Sequence, residues 1–388
     1  MRLVTVQLLG LILLLFTALG FMIQLLGTHF QKISPPQTFT VLRQHSSPSI
    51  KTCRPKTHIV FLKTHKTGGS SIQNMLHRYG DRNSLTFALP QKYQFNYPSL
   101  FHASRVKGYN EFKKPKYDIL CHHMRLNLPE VRMLMPADSF YVTILRDPAT
   151  LAESSFSYYR SESSAFQKAP DFKTFLAQPA LYYKPREKGN QYARNFQWFD
   201  LGFNPDTPFK ESVAKAGVRE IQRAFHIVLL SEYFDESMIL LKEELCWDLD
   251  DVVTFKQNSH DSTPLDKREK EMLRAWNSLD LYLYVYFNST FWEKVERFGK
   301  EKMDIEVRRL RERRQQLADI CLEGVNPVRV DQDKKEKIKP FQFRQEKNIG
   351  WVVKMDLEPN TRAQCIQMIT PELQYKDILD ARQFPGAV

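Results

Sequence analysis

Lys63, His65, Lys66, Thr67, Gly68, Gly69, Ser70 and Ser71 crowd into one short stretch, and the chemistry such a set can do is to hold an anion. Glycines let backbone N–H groups approach a ligand closely, hydroxyls donate, and lysines add full charge. The flanks position this set. Ile59-Val60-Phe61-Leu62 is an apolar, β-branched and aromatic run that reads as a buried strand. Ile72, Met75, Leu76 and Tyr79 recur at helical spacing, and Gly80 falls where the helix would stop. Strand, tight loop and helix place the loop at the positive end of a helix dipole. A nucleotide triphosphatase loop would carry a glycine five residues before its Gly-Lys-Ser/Thr. Here the lysine precedes the glycines and no such glycine lies upstream.

Two further groups of reactive residues end other strand candidates. Tyr117 to Cys121 runs into His122-His123, and Phe140 to Leu145 runs into Arg146-Asp147-Pro148. Proline suits the first turn of a helix, and that helix carries Ser154, Ser155, Tyr158 and Tyr159. An arginine fork and a hydroxyl suit a phosphate; a histidine suits proton transfer. An extended backbone sends residues 122 and 123 to opposite faces, so only one ring can serve a given ligand. No third ligand at a recognisable spacing accompanies the pair, so no metal is expected. Further strands are expected at 85–89 and 225–230, and helices at 234–245, 266–287 and 291–321. Strands alternating with helices imply a parallel sheet covered on both faces, with ligands at the strands' C-terminal ends. The loop, the histidines and Arg146 all lie at such ends.

The order Lys-Thr-Gly-Gly-Ser-Ser over 66–71 resembles the 5′-phosphosulfate loop of PAPS-dependent sulfotransferases. Within them, Lys63-Thr64-His65-Lys66-Thr67 resembles the galactose 3-O-sulfotransferase family. Arg146 with Ser154 matches that family's 3′-phosphate motif. Cys121, His123, Met124 and Arg125 match a family segment in which His122 replaces an asparagine, and Gly68-Gly69 replaces Ala-Ser. Ala88-Leu89-Pro90, Asn96-Tyr97-Pro98, Asp200-Leu201-Gly202-Phe203 and the run from Asn277 to Trp292 extend the likeness over roughly 57–320. The resemblance implies an α/β, P-loop-like parallel sheet flanked by helices. It implies a PAPS-dependent enzyme, without a metal, that sulfates the 3-hydroxyl of terminal β-galactose on glycoprotein or glycolipid glycans. His123 would be the base, Lys66 and the loop N–H groups would receive the leaving phosphate, and Lys63 and His65 would orient the phosphosulfate. Residues 66–71, Arg146 and Ser154 would bind the nucleotide. Other readings stay open: transfer to another glycan hydroxyl, a catalytically silent glycan-binding member, or a kinase-like enzyme. The last is disfavoured by the missing triphosphatase loop.

Composition agrees with an anionic ligand. Among 388 residues, 56 Lys and Arg against 44 Asp and Glu leave a net charge of +12. That suits anionic ligands or a membrane surface, and no nucleic-acid fold signature appears. The five cysteines at 53, 121, 246, 321 and 365 show no CxxC spacing; they fit a secretory chain with one or two disulfides and at least one free or intermolecular thiol, the pairing left open. Leu3 to Leu26 is a nearly unbroken apolar run that as a helix would span about 36 Å, enough to cross a bilayer. A cleaved signal ending near Ala18-Leu19-Gly20 is the alternative, but the run is long for one. We therefore expect a stub and signal-anchor over 1–27 and a stem over 28–56. A catalytic domain follows over 57–325, with an extension packed on it over 326–388. The implied setting is a Golgi membrane, single-pass type II, with the catalytic part lumenal. Asn288-Ser289-Thr290 is the one N-glycosylation sequon, the Arg308–Arg314 cluster reads as a solvated helix face, and homodimerisation is left open.

Overall fold

The computed structural model describes residues 53–255, 264–324, 328–329 and 349–386. The apolar run Leu3–Leu26 and nearly all of the 28–56 stem lie outside these residues. No helix among the described residues is long and apolar enough to cross a membrane.

β1 (Ile59–Leu62), β2 (Ile119–Leu120), β3 (Phe140–Leu145) and β4 (Ile227–Leu230) form one parallel sheet in the order β2-β1-β3-β4. Every residue of these strands is buried, as expected for strands covered on both faces. The chain leaves β1 for β2 on one side and then crosses to β3 on the other, so the order reverses between β1 and β3. Their C-terminal ends form the crevice where open α/β sheets bind ligands. The loop after Leu62 and Arg146 after Leu145 both open there, and Leu62 pairs with Thr143 across the gap.

Three sequence expectations need correction. Residues 85–89 form no strand, only a bridge from Phe87 to Ile119. The Phe87 N–H donates to Gln383 Oε1 at 2.8 Å and its carbonyl accepts from Gln383 Nε2 at 2.9 Å, so a C-terminal side chain caps the sheet edge. The helix after the loop does not stop at Gly80 but runs Gly69–Arg82. Gly80 serves packing instead: a Cβ there would come within 2.3 Å of the Phe87 ring. The expected helices 266–287 and 291–321 are divided differently, as Lys267–Trp276, Ser278–Phe298 and Lys300–Cys321. Asn277 breaks the first, its side chain accepting the Asn195 N–H at 2.8 Å. Gly299, at φ +99, separates the other two.

The arginines of Lys300–Cys321 are anchored rather than merely solvated. Arg311 and Arg314 pair with Asp235, and Arg313, largely buried, pairs with Asp250. Disulfides join Cys53 to Cys246 and Cys321 to Cys365, leaving Cys121 as a buried thiol. The C-terminal helices Pro359–Ile369 and Glu372–Gln383 lie against Gly69–Arg82. Asn74 there donates to the carbonyls of Gln367 and Thr370 at 2.9 and 3.0 Å.

Candidate active site

The loop's shape follows from two left-handed residues. Lys66 has φ +59, and Gly68, at φ +84, opens the helix Gly69–Arg82. A side chain is disfavoured at such a φ, which glycine adopts freely. Gly69 is required by close approach, since a Cβ would sit 2.9 Å from Lys63 Cγ. Thr67 is fully buried and turns its hydroxyl back to the Thr64 carbonyl at 3.1 Å, so it braces the loop.

A cavity of about 560 Å³ opens over this loop. Lys63, Lys66, Gly68, Gly69, Ser70 and Ser71 line it together with Arg146, Thr150 and Ser154 and with His123, Tyr93 and Tyr158. Of the expected site residues, His65 and Thr67 do not line it. Residues more than 80 positions apart are thus brought to one place by the β1–β3 crevice.

Arg146 is built in from both sides. Its N–H donates to Gln197 Oε1 at 2.7 Å, and Gln197 Nε2 donates to its carbonyl at 2.9 Å. Its Nε meets the Thr150 hydroxyl at 3.1 Å, and its Nη1 donates to the Lys66 carbonyl at 2.9 Å. The same guanidinium therefore fixes the backbone turn that carries Lys66. Asp147 does not pair with Arg146. It caps the helix Pro148–Tyr159 through the Ala149 N–H at 2.8 Å and forms an ion pair with Arg274. Lys66 places its ammonium 3.7 Å from the centroid of the Tyr158 ring, a cation–π contact.

The histidines separate by role. The His123 ring lies beside the Lys63 carbonyl, with Nδ1 at 2.9 Å. A carbonyl only accepts, so Nδ1 carries the proton and Nε2 the lone pair. Burial, with His65 and Lys63 nearby, holds the His123 pKa well below the ordinary imidazole value. His65 stacks on that ring at 3.9 Å between centroids and is itself held by Asp200, whose Oδ2 lies 2.9 Å from its Nδ1. Tyr97 donates to the other Asp200 oxygen at 2.9 Å. His65 thus acts as the wall behind His123. His122 faces the other way, into the core, with Nδ1 2.9 Å from Gln73 Nε2.

Sequence reasoning missed Glu372. It lies 309 residues from Lys63, yet it forms a buried ion pair with the Lys63 ammonium, which also donates to Gln73 Oε1 at 2.8 Å. Burial pushes the Glu372 carboxyl up, but Lys63 and a hydrogen bond from Ser70 outweigh it and hold the pKa below the usual range. Lys63 is therefore neutralised in place and Glu372 lines the cavity. No local pattern announces this contact; only the tertiary fold makes it. Arg314 and Phe234, which also line the cavity, were missed for the same reason.

One group among the described residues could hold a metal ion: donor atoms of His77, Cys121 and His122 lie within 4.8 Å of one another in the core. Gln73 already engages the His122 ring and burial pushes the Cys121 thiol pKa up, which disfavours the thiolate a metal needs. The group does not line the cavity.

A doubly covered parallel sheet, an anion-cradling loop, a fixed arginine and a neutral histidine at one switch point define an α/β group transferase for a multiply anionic donor. The pattern of the family described as Galactose-3-O-sulfotransferase matches residues 1–383. Galactose-3-O-sulfotransferase 4 of Bos taurus is 40% identical, over 100% of this chain and 96% of its own length. Galactose-3-O-sulfotransferase 2 of Homo sapiens is 39% identical over 85% of each chain. Galactosylceramide sulfotransferase of Mus musculus is 40% identical over 85% of this chain and 79% of its own. The chain belongs to the galactose-3-O-sulfotransferase family, and its reaction class is sulfuryl transfer to a galactose 3-hydroxyl.

Proposed function

We propose that the chain moves the sulfuryl group of PAPS onto the 3-hydroxyl of a terminal β-galactose on a glycoprotein or glycolipid glycan. The observation that carries this reading is the single cavity shared by the 66–71 loop, Arg146, Ser154 and His123. In it, the sugar oxygen attacks sulfur as His123 Nε2 takes the hydroxyl proton. The new O–S bond forms while the bond from sulfur to the 5′-phosphate oxygen breaks, and PAP leaves. Lys66 and the loop N–H groups meet the charge growing on that oxygen, a task many phosphoryl-transfer enzymes give to Mg²⁺. Arg146 and Ser154 hold the remote 3′-phosphate. Lys63, tied to Glu372, orients the loop rather than lending free charge. A panel of β-galactosides blocked singly at each hydroxyl, incubated with radiolabelled PAPS, tests the reading; only the 3-blocked acceptor should stay unlabelled.

Arg146→Ala should weaken PAP binding by about 10- to 100-fold, the worth of hydrogen bonds to a charged group, while the acceptor KM changes little. Titration calorimetry with PAP checks this. If donor lacking the 3′-phosphate served the wild type as well as PAPS, the role given to Arg146 and Ser154 would be wrong.

We further propose that residues 3–26 anchor the chain in the Golgi membrane with residues 57 onward in the lumen. Asn288 should then carry an N-glycan. It lies inside the helix Ser278–Phe298 with Oδ1 buried, so the glycan would be added before that helix coils. Endoglycosidase should shift the wild type but not Asn288→Gln. Protease digestion of the C-terminal part in sealed microsomes would overturn the topology.

A further inference from the structure

A second cavity, of about 710 Å³, lies beside the first. Arg125, Arg186, Glu162, Asp206, Tyr183 and Tyr192 are among its lining residues. Two features join it to the reacting site. Residues 122, 124 and 126 are buried while 123 and 125 are half-buried, the period of an extended backbone. His123 and Arg125 therefore open on the same face, one into each cavity, about 7 Å apart along the chain. The second link is aromatic. Tyr192, lining the second cavity, stacks flat on Tyr159, lining the first, with centroids 3.9 Å apart and planes 5° from parallel.

The lining is chemically selective. Arg125 is held rigid: its Nη2 donates to the carbonyls of Gly202 and Phe203 at 3.2 and 2.9 Å, and its guanidinium lies 4.1 Å from the Phe199 centroid. Its Nε is buried and meets no hydrogen-bond partner among the described residues. The Tyr183 hydroxyl donates to Asp206 at 2.5 Å, which holds a carboxylate beside an aromatic ring. Arg125, Arg186 and Lys188 are matched by Glu162, Glu187 and Asp206, a balance of charge that disfavours a polyanion. Flat rings for the apolar faces of pyranoses, with fixed charged groups for their hydroxyls, suit an uncharged oligosaccharide.

We propose that this cavity binds the sugars that follow the reacting galactose in an oligosaccharide acceptor, the galactose itself lying against His123. The inference rests on the function proposed above and adds to it: the enzyme prefers acceptors longer than a single galactoside.

The test uses the full-length enzyme, PAPS, methyl β-galactoside and an uncharged trisaccharide ending in β-galactose. In the wild type, kcat/KM should be about 10-fold or more higher for the trisaccharide, the order expected of one or two hydrogen bonds to charged groups. Arg186→Asn is the safer variant, because Arg186 is exposed and its φ of +63 is one asparagine tolerates. It should lower the trisaccharide-to-monosaccharide ratio about 10-fold, and Arg125→Ala should do so as well if it folds. PAP affinity should stay within about twofold of the wild type in Arg186→Asn. An unchanged ratio in Arg186→Asn, or a wild type indifferent to acceptor length, overturns the subsite while leaving the proposed reaction intact. A wild type inactive on every galactoside overturns the reaction, and the subsite with it.

Discussion

Lys66→Ala is expected to lower kcat by about 10²- to 10³-fold, the cost of losing one preorganised charge-stabilising donor, while PAP binding weakens far less. The ammonium belongs to a residue whose backbone is fixed twice, by its left-handed φ of +59 and by the Arg146 bond to its carbonyl. Tyr158 lies against that ammonium in a cation–π contact. That charge matters most as the bridging oxygen becomes anionic, so its loss should fall on the transition state and not on the ground state. Lys63 is the internal contrast. Its charge is matched by Glu372 in a buried pair, so Lys63→Ala should act through the loop's shape. Single-turnover rates with PAPS and calorimetry with PAP separate the two effects for Lys66. Equal losses in both would make Lys66 a binding residue only.

The sequence made the site legible where chemistry is local. Ile59–Leu62 and Phe140–Leu145 are unbroken apolar runs followed by a lysine loop and by Arg-Asp-Pro, and both strands and their reactive ends stand where periodicity put them. What escaped was set by contacts across the chain. Phe87 looks like part of a strand until Gln383 takes its backbone groups. Gly80 looks like a helix stop until the Phe87 ring is seen to need the space. Asn277 continues a helical pattern, but its side chain is recruited by Asn195. Glu372 opens an ordinary amphipathic helix in sequence, and only the docking of that helix on Gly69–Arg82 brings it to Lys63.

The adjacent histidines allow the sharpest test. They carry opposite tautomers. Gln73 accepts from Lys63 through Oε1, so its amide donates to His122 Nδ1 and uses that lone pair. His123 instead donates from Nδ1 to the Lys63 carbonyl, which leaves Nε2 to receive a proton. His123→Ala should therefore lower kcat by about 10²- to 10⁴-fold, the usual worth of a general base, with PAP binding nearly intact. His122→Asn keeps an acceptor for Gln73 and should retain activity. The pH profile adds a second readout. The neutral ring is the active form, so activity is present above the His123 pKa and is lost as pH falls through it. Burial has moved that pKa well below its usual position. In the free enzyme kcat/KM should then hold steady through the ordinary imidazole range, near pH 6.5, and decline only at lower pH. For a ring exposed to water the decline would begin near that value instead. A dead His122→Asn beside an active His123→Ala would transfer the role of base to the neighbouring ring, and with it reverse which face of the 122–126 segment meets the sugar.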